Sequence, residues 1–199
     1  MDRRNFLSFG LAPLAAMASA SKASAAPGRP MSRAAKAGFF PNVPLLTHTG
    51  ETVHFYDDLI RDRTVLFNFF LVGCTDGTCP TTTRNLRQVQ DLLGERMGRD
   101  VFFYSITLQP ELDSPTVLKE YAENFEVKPG WLFLTGRKAD IELLRRSQGY
   151  VDPDPERDKD LNNHTGMARY GNDRLERWGA VSVRSQASNI ASTFQWLTQ

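Results

Sequence analysis

Residues 64–80 read Thr-Val-Leu-Phe-Asn-Phe-Phe-Leu-Val-Gly-Cys-Thr-Asp-Gly-Thr-Cys-Pro, an apolar run that ends in a loop holding two cysteines. Thr64 to Leu71 is too short for an ordinary helix and does not alternate, so it reads as a strand covered on both faces. Pro80 lacks the amide hydrogen that goes unpaired in the first turn of a helix. Leu86, Val89, Leu93 and Met97 then recur at helical spacing, up to a stop near Gly98. The stretch is a strand, a loop and a helix start, with Cys74 in the loop and Cys79 at the helix N-terminus. Free amides and the positive end of the helix dipole favour a thiolate at such a place. The pair is suited to thiol–disulfide exchange or to holding a soft metal ion. A stabilising disulfide is the competing reading, but it would close a very small loop and remove little entropy from the unfolded chain.

Towards the N-terminus the chain reads as an exported protein. Arg3-Arg4 is followed by Asn5-Phe6-Leu7, an apolar run to Ala20 and the small-residue stretch Ala23-Ser24-Ala25. That pattern is a twin-arginine type of signal peptide over residues 1–25. The apolar run is shorter than the roughly 20 residues of a membrane span, and Pro13 interrupts it. Residues 26–37 lack periodicity and read as a flexible linker, so the folded domain is expected over 38–199, with structure from near Phe39. Val43–Leu46 and Thr52–Tyr56 form a hairpin signal around a turn containing Gly50.

Towards the C-terminus, strands and helices alternate. Val101–Thr107 and Trp131–Thr135 read as strands. Ser114-Pro115 is an N-cap with a first-turn proline opening a helix, and Ile141 and Leu144 belong to another that ends at Gly149. An acidic loop, 150–163, precedes a hairpin signal in which Gly171-Asn172-Asp173 joins Met167–Tyr170 to Leu175–Ser182. Ile190, Phe194 and Leu197 mark a closing helix. Alternation implies parallel pairing, and the late hairpin adds an antiparallel edge. The expectation is an α/β, thioredoxin-like fold, a mixed sheet flanked by helices, with an added N-terminal β-hairpin.

Composition narrows the function. Twenty-four basic and 23 acidic residues give a formal charge of +1, without the basic excess of a nucleic-acid surface. The glycine-rich nucleotide motifs and HExxH are absent. His164, at the end of the acidic loop, adds an imidazole to the two thiols. Two thiolates and an imidazole form a soft, three-donor set that suits copper in either oxidation state, whereas a closed zinc site wants a fourth ligand. A lone histidine is more often a hydrogen-bonded structural residue, which is the reading for His48 and His54 in the first hairpin.

Over residues 38–199 the chain resembles the Sco/SenC family, exported thioredoxin-fold copper chaperones of cytochrome c oxidase assembly. The resemblance rests on the strand running into Cys-x(n)-Cys-Pro, Phe69 to Pro80. It rests also on Ile106-Thr-Leu-Gln-Pro-Glu-Leu-Asp-Ser-Pro115 with Val117 to Tyr121, on Leu134-Thr135-Gly136 and on Asn163-His164-Thr165. These match the family's I-S-V-D-P-E-R-D-T-P and following helix, L-T-G and D-H-[ST] segments. The resemblance implies that Cys74, Cys79 and His164 ligate copper and that the cysteines cycle between dithiol and disulfide. It implies a copper-receiving oxidase subunit or other copper enzyme as partner; the export signal implies a periplasmic or other extracytoplasmic location, and a monomer is expected. Three departures stand out: four residues rather than three between the cysteines, Asn163 for the acidic residue before the histidine, and Gln109 for the aspartate of the D-P pair. The alternative is a periplasmic oxidoreductase that reduces partner cysteines through Cys74 and Cys79. A peroxiredoxin-like peroxidase is a distant third.

Overall fold

The computed structural model of the chain describes residues 32–197, so the expected signal at 1–25 and residues 26–31 of the expected linker lie outside it. The rest of that linker is helical. Ser32 caps a short helix, Arg33–Phe39 (α1), by accepting from the Ala35 amide. Structure thus begins before Phe39, and long-range contacts are the reason. Lys36 pairs with Asp173 and Glu176, and Phe40 packs on Trp178 with ring centroids 4.6 Å apart.

Pro44–Thr47 (β1) and Thr52–His54 (β2) form the expected hairpin. A wide π-type turn, Phe55–Ile60, leads to Thr64–Phe70 (β3). Thr78–Leu93 (α2), Val101–Thr107 (β4), Pro115–Asn124 (α3), Trp131–Thr135 (β5) and Lys138–Ser147 (α4) follow. The acidic loop is partly structured by Pro155–Asp158 (α5) and a tight 3-10 turn, Leu161–His164. Met167–Asn172 (β6), Arg177–Ser182 (β7) and Ala187–Trp196 (α6) complete the chain. One seven-stranded sheet has the order β2-β1-β5-β4-β3-β6-β7. Strands β3, β4 and β5 are parallel, while β1 joins β5 and β6 joins β3 antiparallel. The fold is the α/β arrangement expected, its N-terminal hairpin extending one edge.

All seven residues of β3 are buried, because both faces of the sheet are covered. Phe67 meets Phe55 on one face, and Phe70 meets Tyr121 of α3 on the other. Burying each such ring contributes about 1.5–3 kcal/mol. Asn68, polar and at the middle of the strand, accepts from the Ser105 hydroxyl, which in turn accepts from the Trp131 indole. That chain of hydrogen bonds removes the penalty of an unpaired amide oxygen in the core.

The late hairpin turns at residues 173–176, not at Gly171-Asn172-Asp173. Gly171 lies within β6 opposite Trp178. A Cβ there would sit 2.2 Å from the indole, so the glycine is required by a ring lying over the strand.

The topology positions the site. Ala168 of β6 pairs antiparallel with Asn68 of β3, so β6 begins where β3 ends. The loop leaving β3, the loop leaving β4 and the segment entering β6 therefore meet at one end of the sheet. Sites in parallel sheets form beyond the carboxyl ends of strands for this reason.

Candidate functional site

Gly77, with φ at +72°, is the residue from which α2 starts, a left-handed position that glycine occupies without strain. Cys79 is the second helical residue and fully buried, and the Leu71 amide donates to its sulfur at 3.4 Å. Cys74 is half-buried, and both thiols are free. The Cys79 amide donates to the Cys74 sulfur at 3.2 Å. The helix start thus serves Cys74 with a donor, while Cys79 is turned into the core.

This reverses the expectation of a favoured thiolate at Cys79. Its thiol is pushed from 9.0 up to about 12, first by burial and then by interaction with the Cys74 sulfur. The dipole at a helix N-terminus contributes roughly 0.3–1 kcal/mol when exposed. Desolvation of a buried charge is larger and acts in the opposite direction.

The loop between the cysteines is closed by Asp76. Its carboxylate accepts from the Thr78 amide at 2.9 Å, from the Thr78 hydroxyl at 2.7 Å and from the Cys74 thiol at 2.9 Å. Those donors, Cys74 first, hold its pKa at about 2. Arg184 reaches the same corner, donating to the Thr78 hydroxyl at 3.0 Å.

Asp113 anchors the loop from beneath. Only 3% exposed, it accepts from the Val72 amide and from the Thr107 hydroxyl, tying the chain just ahead of Cys74 to the end of β4. Burial raises its pKa. Asp113 was not singled out from the sequence. Its signal was the position before the Ser114 cap, in the loop that leaves a buried strand.

His164 closes the 3-10 turn that precedes β6, and this turn lies against the cysteines. The Cys74 sulfur is 3.7 Å from the Asn162 side-chain oxygen, and Thr165 acts against the rise in the Cys79 pKa. The imidazole is 4% exposed. Its Nε2 is 3.1 Å from Arg145 Nη1 and 3.0 Å from the Asp158 carbonyl oxygen. The fold therefore brings Cys74 and Cys79 together and carries His164 to the same end of the sheet, with the Nε2 edge of its ring against Arg145 and Asp158. Among the described residues, no three His, Cys, Asp or Glu side chains are grouped so as to hold a metal ion. Two soft sulfur donors are in place, and no third donor is grouped with them. His48 has the structural role expected, its Nδ1 accepting from the Phe133 amide at 3.2 Å. His54 is half-exposed beside Asp58.

A family model described as SCO1/SenC matches residues 34–197. An SCO2-like protein of Rickettsia prowazekii is 33% identical over 98 residues, which are 49% of this chain and 45% of that protein. The chain spans about half the length of the curated relatives it matches. Among solved structures, yeast Sco1 with copper bound superposes with a TM-score of 0.64 at 19% identity, over 85% of this chain and 93% of that one. BsSco, described as a Sco-family cytochrome c oxidase assembly protein with a disulfide switch, superposes with a TM-score of 0.62 at 22% identity, over 80% and 94%. At these identities the superpositions establish the fold, and the family model establishes descent. The chain belongs to the SCO1/SenC family.

Proposed function

We propose that this protein binds copper through Cys74, Cys79 and His164 and delivers it, outside the cytoplasm, to the copper site of a respiratory oxidase subunit or related copper enzyme. Membership of the family supports the cargo, since yeast Sco1 carries copper in its structure. The observation that carries the reading onto these residues is the approach of Asn162, two residues before His164, to the Cys74 sulfur at 3.7 Å. Copper would take two thiolates whose high cost of ionisation at Cys79 is offset by the metal's own charge. The extra residue between the cysteines is accommodated by Gly77 and by the bonds to Asp76. Twin-arginine export, a periplasmic location and a monomeric state form part of the proposal. No helix among the described residues is long and apolar enough to cross a membrane.

Copper titration of the reduced protein tests it. The wild type is expected to bind one copper per chain, and Cys74→Ser to lose stoichiometric binding. His164→Ala is expected to weaken binding by more than about tenfold, the scale on which even outer partners of metal ligands act. Unchanged affinity in His164→Ala would remove the histidine from the site.

One observation favours a second role in the same site. A partly exposed Cys74 beside a buried Cys79 is the asymmetry of an attacking and a resolving thiol. A reductase of partner cysteines would keep its exchange activity in His164→Ala, which separates the two roles.

A further inference from the structure

Arg145 lies on α4 and is 2% exposed. A guanidinium has five N–H donors, one on Nε and two on each Nη. Nε donates to Glu142 Oε2 at 2.8 Å, and Nη2 donates to Glu142 Oε1 and Asp158 Oδ2, each at 2.8 Å. Nη1 donates to the Tyr150 carbonyl and, at 2.8 Å, to Asp158 Oδ1. All five donors are thus committed before His164 is counted. The 3.1 Å approach of Nη1 to His164 Nε2 is a contact with no hydrogen left to share. The other groups within reach of Nε2 are the Asp158 carbonyl oxygen at 3.0 Å and the Asp158 Oδ1 at 3.4 Å, both of which can only accept. A nitrogen facing a carbonyl at that distance must carry the proton.

We propose that Arg145, acting through Asp158, is a positioning residue that fixes His164 as the Nε2–H tautomer and holds the edge of the ring that bears Nε2. The guanidinium grips both oxygens of the Asp158 carboxylate, and the Asp152 amide donates to one of them at 2.8 Å. That grip sets where the Asp158 main-chain carbonyl points. In the neutral imidazole the lone pair is then on Nδ1, the nitrogen nearer the backbone of the turn that approaches the Cys74 sulfur. Histidines that bind metals commonly donate their other N–H to a carbonyl or carboxylate, which fixes tautomer and ring direction. The Arg145–Asp158 arrangement supplies that partner before any metal arrives. Its consequence for copper rests on the function proposed above.

The test uses the reduced, metal-free full chain with histidine-selective 15N labelling. In the wild type, His164 is expected to show a bare, pyridine-type Nδ1 and a protonated, pyrrole-type Nε2 by NMR. In Arg145→Lys, which keeps the charge and loses the five-donor geometry, both signals are expected to move towards tautomer-averaged positions. Asp158→Asn weakens the same grip and is expected to do likewise, and it decides the matter if Arg145→Lys fails to fold. A proton on Nδ1 in the wild type would overturn the inference, as would unchanged nitrogen signals in the folded variants. The variants are also expected to bind copper about tenfold or more weakly. Unchanged affinity beside a shifted tautomer would overturn the link to the metal. Failure of the copper reading appears separately, as undiminished copper binding in His164→Ala, because the nitrogen signals are read without metal.

Discussion

Cys79 occupies the second position of a helix, yet its sulfur has no contact with solvent, and its thiol is pushed up to about 12. Cys74, five residues earlier in the chain, is half-buried and receives the helix amide instead. Iodoacetamide near pH 8 is therefore expected to alkylate Cys74 in the folded, reduced protein and to leave Cys79 unmodified until the chain unfolds. Peptide mass spectrometry reads this directly, and equal labelling of both cysteines in the folded state would refute the assignment. The same burial has a consequence for stability. An unfolded Cys79 loses its proton near pH 9.0, whereas the folded one keeps it to about pH 12. Between those values the native state binds the extra proton, so stability falls as pH rises through that window. Below it the contribution is fully present. A Cys79→Ala variant, lacking the thiol, is expected to show a smaller fall over the same range in denaturant titrations.

At the scale of elements, the start of α2 depends on a residue outside it. Gly77 offers no side-chain cap, and the Asp76 carboxylate takes the Thr78 amide and hydroxyl in its place. Losing a capping carboxylate costs about 1 kcal/mol, so Asp76→Ala is expected to destabilise the reduced protein by that order. The carboxylate's pKa falls from 3.8 to about 2 on folding, so its contribution is present above pH 4 and is lost as pH drops towards 2. Acid titration of wild type and variant should converge there, and a constant gap would show that Asp76 acts only through packing. Elements whose cause is local were readable in the sequence. β3 is a continuous buried run, and α3 opens at Ser114, whose hydroxyl accepts from the Val117 amide. Elements fixed by distant partners were not. α1 is held by Asp173 and Glu176, and the glycine that signalled a turn serves the Trp178 ring. The candidate site divides in the same way. The cysteine loop was legible because strand, loop and helix are consecutive. The direction of His164 depends on Arg145, 19 residues earlier on another helix, and no local pattern encodes that.

For the whole molecule, the decisive fact is that residues far apart in the chain converge at one end of the sheet. The cysteine loop follows β3, Asp113 follows β4, and His164 precedes β6, the antiparallel neighbour of β3. A ligand held by Cys74, Cys79 and His164 would join the segment leaving β3 to the segment entering β6, and unfolding would have to release it. Any ligand that binds only the folded form stabilises it by RT ln(1 + [L]/Kd), about 2.7 kcal/mol at a hundredfold excess over Kd. For a domain of this size each kcal/mol raises Tm by about 2–4 °C, so copper is expected to raise the Tm of the reduced protein by roughly 5–10 °C. The rise should shrink in His164→Ala, because the link to β6 is then lost while both sulfurs remain. It should vanish once Cys74 and Cys79 are oxidised, because a disulfide leaves no thiolate to ligate. Equal stabilisation of the reduced and oxidised forms would mean that copper binds elsewhere on the chain. Equal stabilisation of wild type and His164→Ala would instead confine the ligands to the loop after β3, and the convergence of β6 on that loop would then serve the fold alone.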